Sequence, residues 1–165
     1  MNEITELLSK SDFKDMIRIF NEEKVQFIVI GGTAVIIYGY TRLTKDLDLW
    51  VWANPANAIR IVKALEKFGA PMHEITAEDF EKEGTIFQIG VAPIRIDIIT
   101  ATVGVKFEEA FRNIENIEAD GINIPLISIS DLIENKKATG RPQDLIDVEH
   151  LEAILKRKKG IGKKA

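Results

Sequence analysis

The sequence predicts an α/β (α+β) domain: a mixed β-sheet flanked by helices and closed by further helices at the C-terminal end. Three observations carry this expectation. Short β-branched runs alternate along the chain with stretches of helical periodicity. A glycine pair, Gly31-Gly32, joins the first apolar run to a helix-like one. Two amphipathic stretches follow the last strand-like run. At 165 residues a single domain with a proper core is expected. We place it at 1–155, followed by a basic and flexible tail at 156–165.

The elements follow in order. Ser9 to Asp12 has the spacing of a capping box, and Phe13, Met16, Ile17 and Phe20 form the stripe of a first helix. Val25 to Ile30 reads as a buried strand ended by Gly31-Gly32. Ala34, Val35, Ile37 and Tyr38 are spaced as a short helix. Asp46 to Val51 alternates strictly and reads as a strand. Asn54-Pro55 is an N-cap and first-turn pair, with Ile59, Val62 and Leu65 as the stripe and Gly69 as the stop. Thr76 to Asp79 opens a short helix. Ile86 to Val91 and Ile94 to Thr100 are two strands, broken near Pro93. Lys106 to Arg112 is helical, and Glu115 to Ile127 is a hairpin turning at Asp120-Gly121. Ser128 to Asp131 is a second capping box, starting a helix that ends near Gly140. Arg141-Pro142 begins the last helix, with Leu145, Val148, Leu151 and Leu155 inward.

Composition narrows the function classes. Hydrophobic content of 45% and charged content of 29% are ordinary for a globular protein. The chain has no cysteine and only His73 and His150, which excludes thiolate and histidine-rich metal sites. Neither histidine has the partners a catalytic imidazole needs. Met1 to Lys10 lacks the apolar centre of a signal peptide, and no apolar run is long enough to span a bilayer. A cytoplasmic protein is the expectation. Net charge is −4, but Lys156, Arg157, Lys158, Lys159, Lys163 and Lys164 leave −10 on the rest. So acidic a body argues against a broad nucleic-acid-binding face. The tail reads as a solvated end or as an RNA tether.

The chemistry concentrates in Gly31 to Trp50. A strand, a glycine pair and a helix start expose backbone N–H groups to an anion, and glycine lets a phosphate approach closely. Thr33 could add a hydroxyl; a tight turn that simply needs glycine is the alternative. Leu47, Leu49 and Val51 alternate with Asp46, Asp48 and Trp50. Both carboxylates therefore share one face, roughly 6.5 Å apart at about 3.3 Å per residue. Adjacent carboxylates repel, and a hard cation is the natural compensation. Asp97 lies in a strand of isoleucines, where an unpaired charge is costly. It either pairs with Arg95 or another base, or joins Asp46 and Asp48 on the same ion. Trp50 and Trp52 share the Asp46 face and either stack on a nucleobase or pack under a helix. Lys136, Lys137 and Arg141 flank a turn between helices, where bases serve either as salt bridges or as phosphate ligands. The same choice holds for Arg42. Asp144 suits a helix start, and Asp147 could pair with Arg141 or Lys137.

With these residues in view, the chain resembles the nucleotidyltransferase superfamily typified by DNA polymerase beta. The resemblance rests on Gly31-Gly32, thirteen intervening residues, Asp46-Leu47-Asp48-Leu49, and Asp97 on a later strand. Gly39-Tyr40-Thr41-Arg42, Thr44 and the segment Lys136 to Asp147 are similar to small stand-alone prokaryotic members. These are the minimal nucleotidyltransferases and the nucleotidyltransferase toxins of abortive-infection, toxin–antitoxin type. The resemblance spans about residues 25 to 151 and implies a polymerase-beta-like fold. It further implies transfer of a nucleoside monophosphate from a nucleoside triphosphate such as ATP to an acceptor hydroxyl. Asp46, Asp48 and Asp97 would then be catalytic residues and metal ligands, holding two Mg2+ ions, with Mn2+ as a substitute. Gly31, Gly32, Thr33, Arg42, Lys137 and Arg141 would bind nucleotide. The acceptor stays open among tRNA, a protein hydroxyl and a small molecule, as do base preference and oligomeric state. A nucleotide-binding or antitoxin-type partner module without turnover, on the same fold, is the alternative.

Overall fold

The computed structural model describes residues 3–44, 46–91 and 94–164. Its first elements are helices α1 (Glu3–Leu8) and α2 (Ser11–Glu22), strand β1 (Phe27–Ile30) and helix α3 (Gly31–Tyr38). Strand β2 (Asp46–Val51) and helix α4 (Pro55–Phe68) follow, then a 3-10 turn at Ala77–Phe80. Strands β3 (Ile86–Ile89) and β4 (Arg95–Ile99) lead to helix α5 (Phe107–Arg112). The hairpin β5 (Glu115–Ala119) and β6 (Ile122–Leu126) precedes helices α6 (Ile129–Thr139) and α7 (Pro142–Lys164). The strands form one mixed sheet in the order β3-β4-β2-β1-β6-β5. β2 runs parallel to β4 and antiparallel to β1, and β1 runs parallel to β6. The break expected at Pro93 lies outside the described residues. Among the described residues no helix is long and apolar enough to cross a membrane.

Alternation in β2 sets the two faces of the sheet. Leu47 and Val29 border a small apolar cavity with Phe13 and Ile17 of α2, so that face is core. Asp46, Asp48 and Trp50 point the other way. Trp50 is buried edge-on against Phe107, 5.1 Å between ring centroids, and Trp52 stacks on the same ring at 5.4 Å. Both tryptophans therefore pack under α5. The hairpin turns at Asp120 and Gly121, both at positive φ (51° and 75°), as a two-residue turn requires.

Four elements differ from the sequence reading. α1 has no counterpart in it. Ser9 is used in ending α1, its hydroxyl donating to the Glu6 carbonyl at 2.6 Å, so it does not cap α2. The N-cap of α2 is Lys10, with no side-chain cap. In α4, Ile59 is 65% exposed, and Ala58, Ile61, Ala64 and Leu65 form the buried face. In α7, Leu145 is 52% exposed, while Asp144, Asp147, Val148, Leu151 and Ile154 are buried. The helix is rotated from its apolar stripe because ion pairs, described below, draw the two aspartates inward. The basic residues from Lys156 on continue α7, which runs to Lys164.

The Asn54 cap is present, its side chain accepting from the Asn57 N–H at 2.9 Å. Asn57 is itself fully buried. It accepts from Gln26 N–H at 2.9 Å and donates to the carbonyls of Gln26 (3.1 Å) and Trp52 (2.8 Å). It thus closes the backbone ends of β1 and β2. Asn57→Ala leaves these groups buried and unpaired, and we expect a loss of about 2 kcal/mol in urea unfolding. A loss below about 0.5 kcal/mol would mean that water replaces the amide.

Candidate active site

The site forms where β1 ends and β2 and β4 lie side by side. Asp48 is opposite Ile30, the last residue of β1, and so reaches the start of α3. On its other side Asp48 is opposite Asp97, and Asp46 is opposite Arg95. The parallel register therefore delivers three carboxylates and one guanidinium to one patch. Asp48 and Asp97 are within hydrogen-bond reach of each other. Arg95 Nη2 lies 3.0 Å from Asp46 Oδ2 and 3.3 Å from Asp97 Oδ2. Its Nε lies 3.1 Å from Asp97 Oδ1.

Both glycines lie tightly against their neighbours, and Gly31 is also required by its backbone conformation. Gly31 has φ +72°, and a Cβ there would run into the carboxylate of Asp48. A Cβ on Gly32 would lie 2.8 Å from both Arg42 Nη2 and Thr44 Oγ1. The N-terminus of α3 is thus fitted between the Asp48 carboxylate and the Arg42 guanidinium. Thr33 is buried, and its hydroxyl donates to the Asp46 carbonyl at 3.1 Å. Thr44 donates to the same carbonyl at 3.3 Å. These two hydroxyls fix the entry to β2.

A buried ion network links this site to the late helices. Asp147, fully buried, pairs with Arg42 through Nε at 2.9 Å and Nη2 at 3.0 Å. Lys136, 4% exposed, reaches Asp147 at 2.9 Å and Asp144 at 3.1 Å. Arg141 Nε lies 2.7 Å from Asp144, whose carboxylate also accepts from the Arg141 backbone N–H at 3.1 Å. The Arg141 side chain is 74% exposed, and Asp48 is among the charges that raise its pKa, after Asp144. Lys137 instead pairs with Glu152 at 3.0 Å, both half-exposed. Of the sequence candidates, Gly31, Gly32, Arg42, Asp46, Asp48 and Asp97 are gathered here, with Arg141 within electrostatic reach of Asp48. Lys137 is engaged elsewhere, and its neighbour Lys136 takes the inner position. The signal was present in the sequence. Lys136 follows Ile129, Leu132 and Ile133 at helical spacing and so belongs to the buried face of α6.

The electrostatics report crowded negative charge. Burial, then Asp97 and Asp46, push the Asp48 carboxyl up to about 6, against the opposing pull of Lys136 and Arg95. Burial also raises Asp97, while Arg95 opposes it. Asp144 behaves oppositely. Burial disfavours its charge, but hydrogen bonds from Arg141, Thr139 and Lys136 hold it well below the usual carboxylate range.

The donor set suits a hard divalent cation. Asp97 Oδ1 is buried and faces Arg95 Nε at 3.1 Å without an aligned hydrogen bond, and burial and the other two acids destabilise Asp48 as an anion. A cation would relieve both. As the side chains stand, no three acidic or histidine groups among the described residues close around one point. Arg95 holds Asp46 and Asp97 instead.

Comparison with known proteins identifies the fold and the family. No curated protein matches the chain at a significant level. Among solved structures, one similar fold is a Thermotoga maritima protein provisionally described as a nucleotidyltransferase. It is 13% identical with a TM-score of 0.55, and the match covers 99% of this chain and 96% of that one. Another is the antibiotic-resistance factor ANT(2'')-Ia, 14% identical with a TM-score of 0.54, covering 99% and 97%. At such identities the likeness establishes the fold. Residues 10–157 match the family described as "Nucleotidyltransferase of unknown function (DUF6036)". The chain carries a nucleotidyltransferase fold and belongs to that family.

Proposed function

We propose that the protein transfers a nucleoside monophosphate from a nucleoside triphosphate to an acceptor hydroxyl, with pyrophosphate as the leaving group. The observation that carries this reading is the register that sets Asp46, Asp48 and Asp97 beside the N-terminus of α3. The backbone N–H groups at that helix start bind the triphosphate, helped by the helix dipole. Arg141, exposed and anchored on Asp144, supplies a positive charge for the same phosphates. Arg42 and Lys136 add fixed positive charge behind them. Asp97 is the candidate to accept the proton of the attacking hydroxyl.

Asp46, Asp48 and Asp97 would hold Mg2+, which when bound neutralises phosphate charge and lowers the pKa of the acceptor hydroxyl. The acceptor is a molecule small or flexible enough to enter a local pocket, since the acidic body disfavours a long nucleic-acid footprint. A small molecule, a protein hydroxyl or an RNA end satisfies this.

The test is incubation with each α-labelled nucleoside triphosphate, Mg2+ and cell extract, followed by fractionation. One fraction takes up label with the wild type and none does with Asp46→Asn; equal labelling by both would refute the site. Arg141→Ala should raise KM for the nucleotide about tenfold, the scale of one charge-assisted contact. Lys137→Ala should leave it within about twofold, since Lys137 engages only an exposed surface pair. The reverse ranking would show that Lys137 is the phosphate ligand.

A further inference from the structure

The three aspartates already have a cation among them. Arg95 precedes Asp97 by two residues on the same strand, so both side chains leave the same face. The parallel register sets it opposite Asp46. The register that gathers the acids therefore delivers the arginine to them as well. Lys136 and Arg141 also act on the site, but each is tied to the α7 aspartates. Among the described residues, Arg95 is the base ion-paired with Asp46 and Asp97.

The contact with Asp46 has the character of a stand-in. A guanidinium fits one carboxylate best as a two-pronged fork. Arg95 makes that fork on Asp97, through Nε at 3.1 Å and Nη2 at 3.3 Å, and reaches Asp46 only by sharing the same Nη2 at 3.0 Å. Arg95 Nε and Asp97 Oδ1 are both buried, yet neither makes an aligned hydrogen bond. The Asp46 side of the contact faces solvent, with Arg95 37% and Asp46 35% exposed, whereas Asp97 is 10% exposed. An ion arriving from solvent meets the Asp46–Arg95 arm first.

We propose that Arg95 is the resident counter-cation of this site. It neutralises Asp46 and Asp97 while no divalent ion is bound and competes with the ion for the same oxygens. Ion binding displaces it from Asp46. Arg95 is thus a positioning residue that sets the ion concentration at which the site assembles. This inference rests on the reading of Asp46, Asp48 and Asp97 as the metal ligands. It implies two effects of opposite sign. Without Arg95 the ion-free fold is less stable, because the acids face one another unneutralised. The same change makes the ion bind more tightly. A merely structural strut would give only the first effect, and a pure phosphate ligand would leave ion affinity unchanged without nucleotide.

The experiment is titration of the full-length protein with Mn2+ in the absence of nucleotide, with free Mn2+ read by electron paramagnetic resonance. Wild type, Arg95→Gln, Arg95→Lys and Asp48→Asn are compared, each first shown to melt cooperatively. We expect Arg95→Gln to bind Mn2+ on the order of tenfold more tightly, as loss of a competing charge a few ångströms away predicts. Its ion-free melting temperature should be lower than that of the wild type. Arg95→Lys, with its charge kept but its fork lost, should fall between the two. It serves as the reporter if Arg95→Gln does not fold. Binding that Asp48→Asn abolishes but that both Arg95 variants leave unchanged or weaken would overturn the competition and leave the site standing. Absence of Mn2+ binding in the wild type, or binding indifferent to Asp48→Asn, would overturn the metal-site reading and the competition with it.

Discussion

Asp48→Asn should stabilise the ion-free protein at pH 8 and, in the same molecule, nearly abolish nucleotidyl transfer. Burial and the neighbouring acids raise the Asp48 carboxyl from its ordinary value of 3.8 to about 6 in the folded chain. Between those two values the folded protein holds a proton that the unfolded chain has released. Stability therefore falls as pH rises through that window, and above pH 6 the full cost of ionising Asp48 is present. A shift of this size corresponds to about 2–3 kcal/mol. The amide that replaces the carboxylate is neutral at every pH and can still donate to Asp97. The variant's advantage should be largest above pH 6 and vanish towards pH 4. Urea unfolding at pH 4, 6 and 8 without divalent ions measures it. A variant less stable than the wild type at pH 8 would mean that Asp48 is not strained as an anion. Transfer should fall on the order of a hundred- to a thousandfold, the usual scale for losing one charge aimed at the transition state.

The second large effect lies away from the three carboxylates. Asp147→Ala removes the carboxylate shared by Arg42 and Lys136, both partly or wholly buried. Breaking a buried pair from one side costs about 3–5 kcal/mol, because the remaining charge is left uncompensated. Out of a total stability of about 5–15 kcal/mol that is a large fraction. Lys136 keeps Asp144 as a partner, so the loss falls mainly on Arg42 and, through it, on the Gly32 side of the α3 N-terminus. Asp147→Asn retains the shape and one acceptor and should cost less. The urea midpoints of the two variants check this, and a loss below about 1 kcal/mol for Asp147→Ala would show that Arg42 finds another partner or water.

These two residues also mark how far the sequence can be read. Asp48 was legible because Leu47, Leu49 and Val51 alternate with it, and a strand has one periodicity only. The helix stop at Gly69, the Asn54 and Ser128 caps and the Asp120-Gly121 turn were legible because each depends on local backbone chemistry. Asp147 was visible as a charge, but its depth was not. Hydrophobic periodicity assigns the inward face of a helix to its apolar stripe. In α7 that rule chose Leu145, while charge pairing with Arg42 and Lys136 turned Asp144 and Asp147 inward. Lys136, by contrast, can be placed inward from its helical spacing after Ile129, Leu132 and Ile133. Arg95 was seen as one possible partner of Asp97. Its bridge to Asp46 required knowing that β4 lies parallel to β2, and strand order is a tertiary fact. Ile59 was misplaced for a simpler reason, since Ala58, Ile61, Ala64 and Leu65 form an equally good helical stripe in which alanine carries little hydrophobic signal.

The central claim is that this site moves a nucleoside monophosphate, and the position of the label tests it most directly. The protein, its acceptor fraction and Mg2+ are incubated in parallel with the same nucleoside triphosphate labelled at the α- or the γ-phosphate. The account predicts that α-label enters the acceptor and γ-label leaves as pyrophosphate, with neither reaction in Asp46→Asn. Entry of γ-label into the acceptor, or release of γ-label as inorganic phosphate alone, would contradict it.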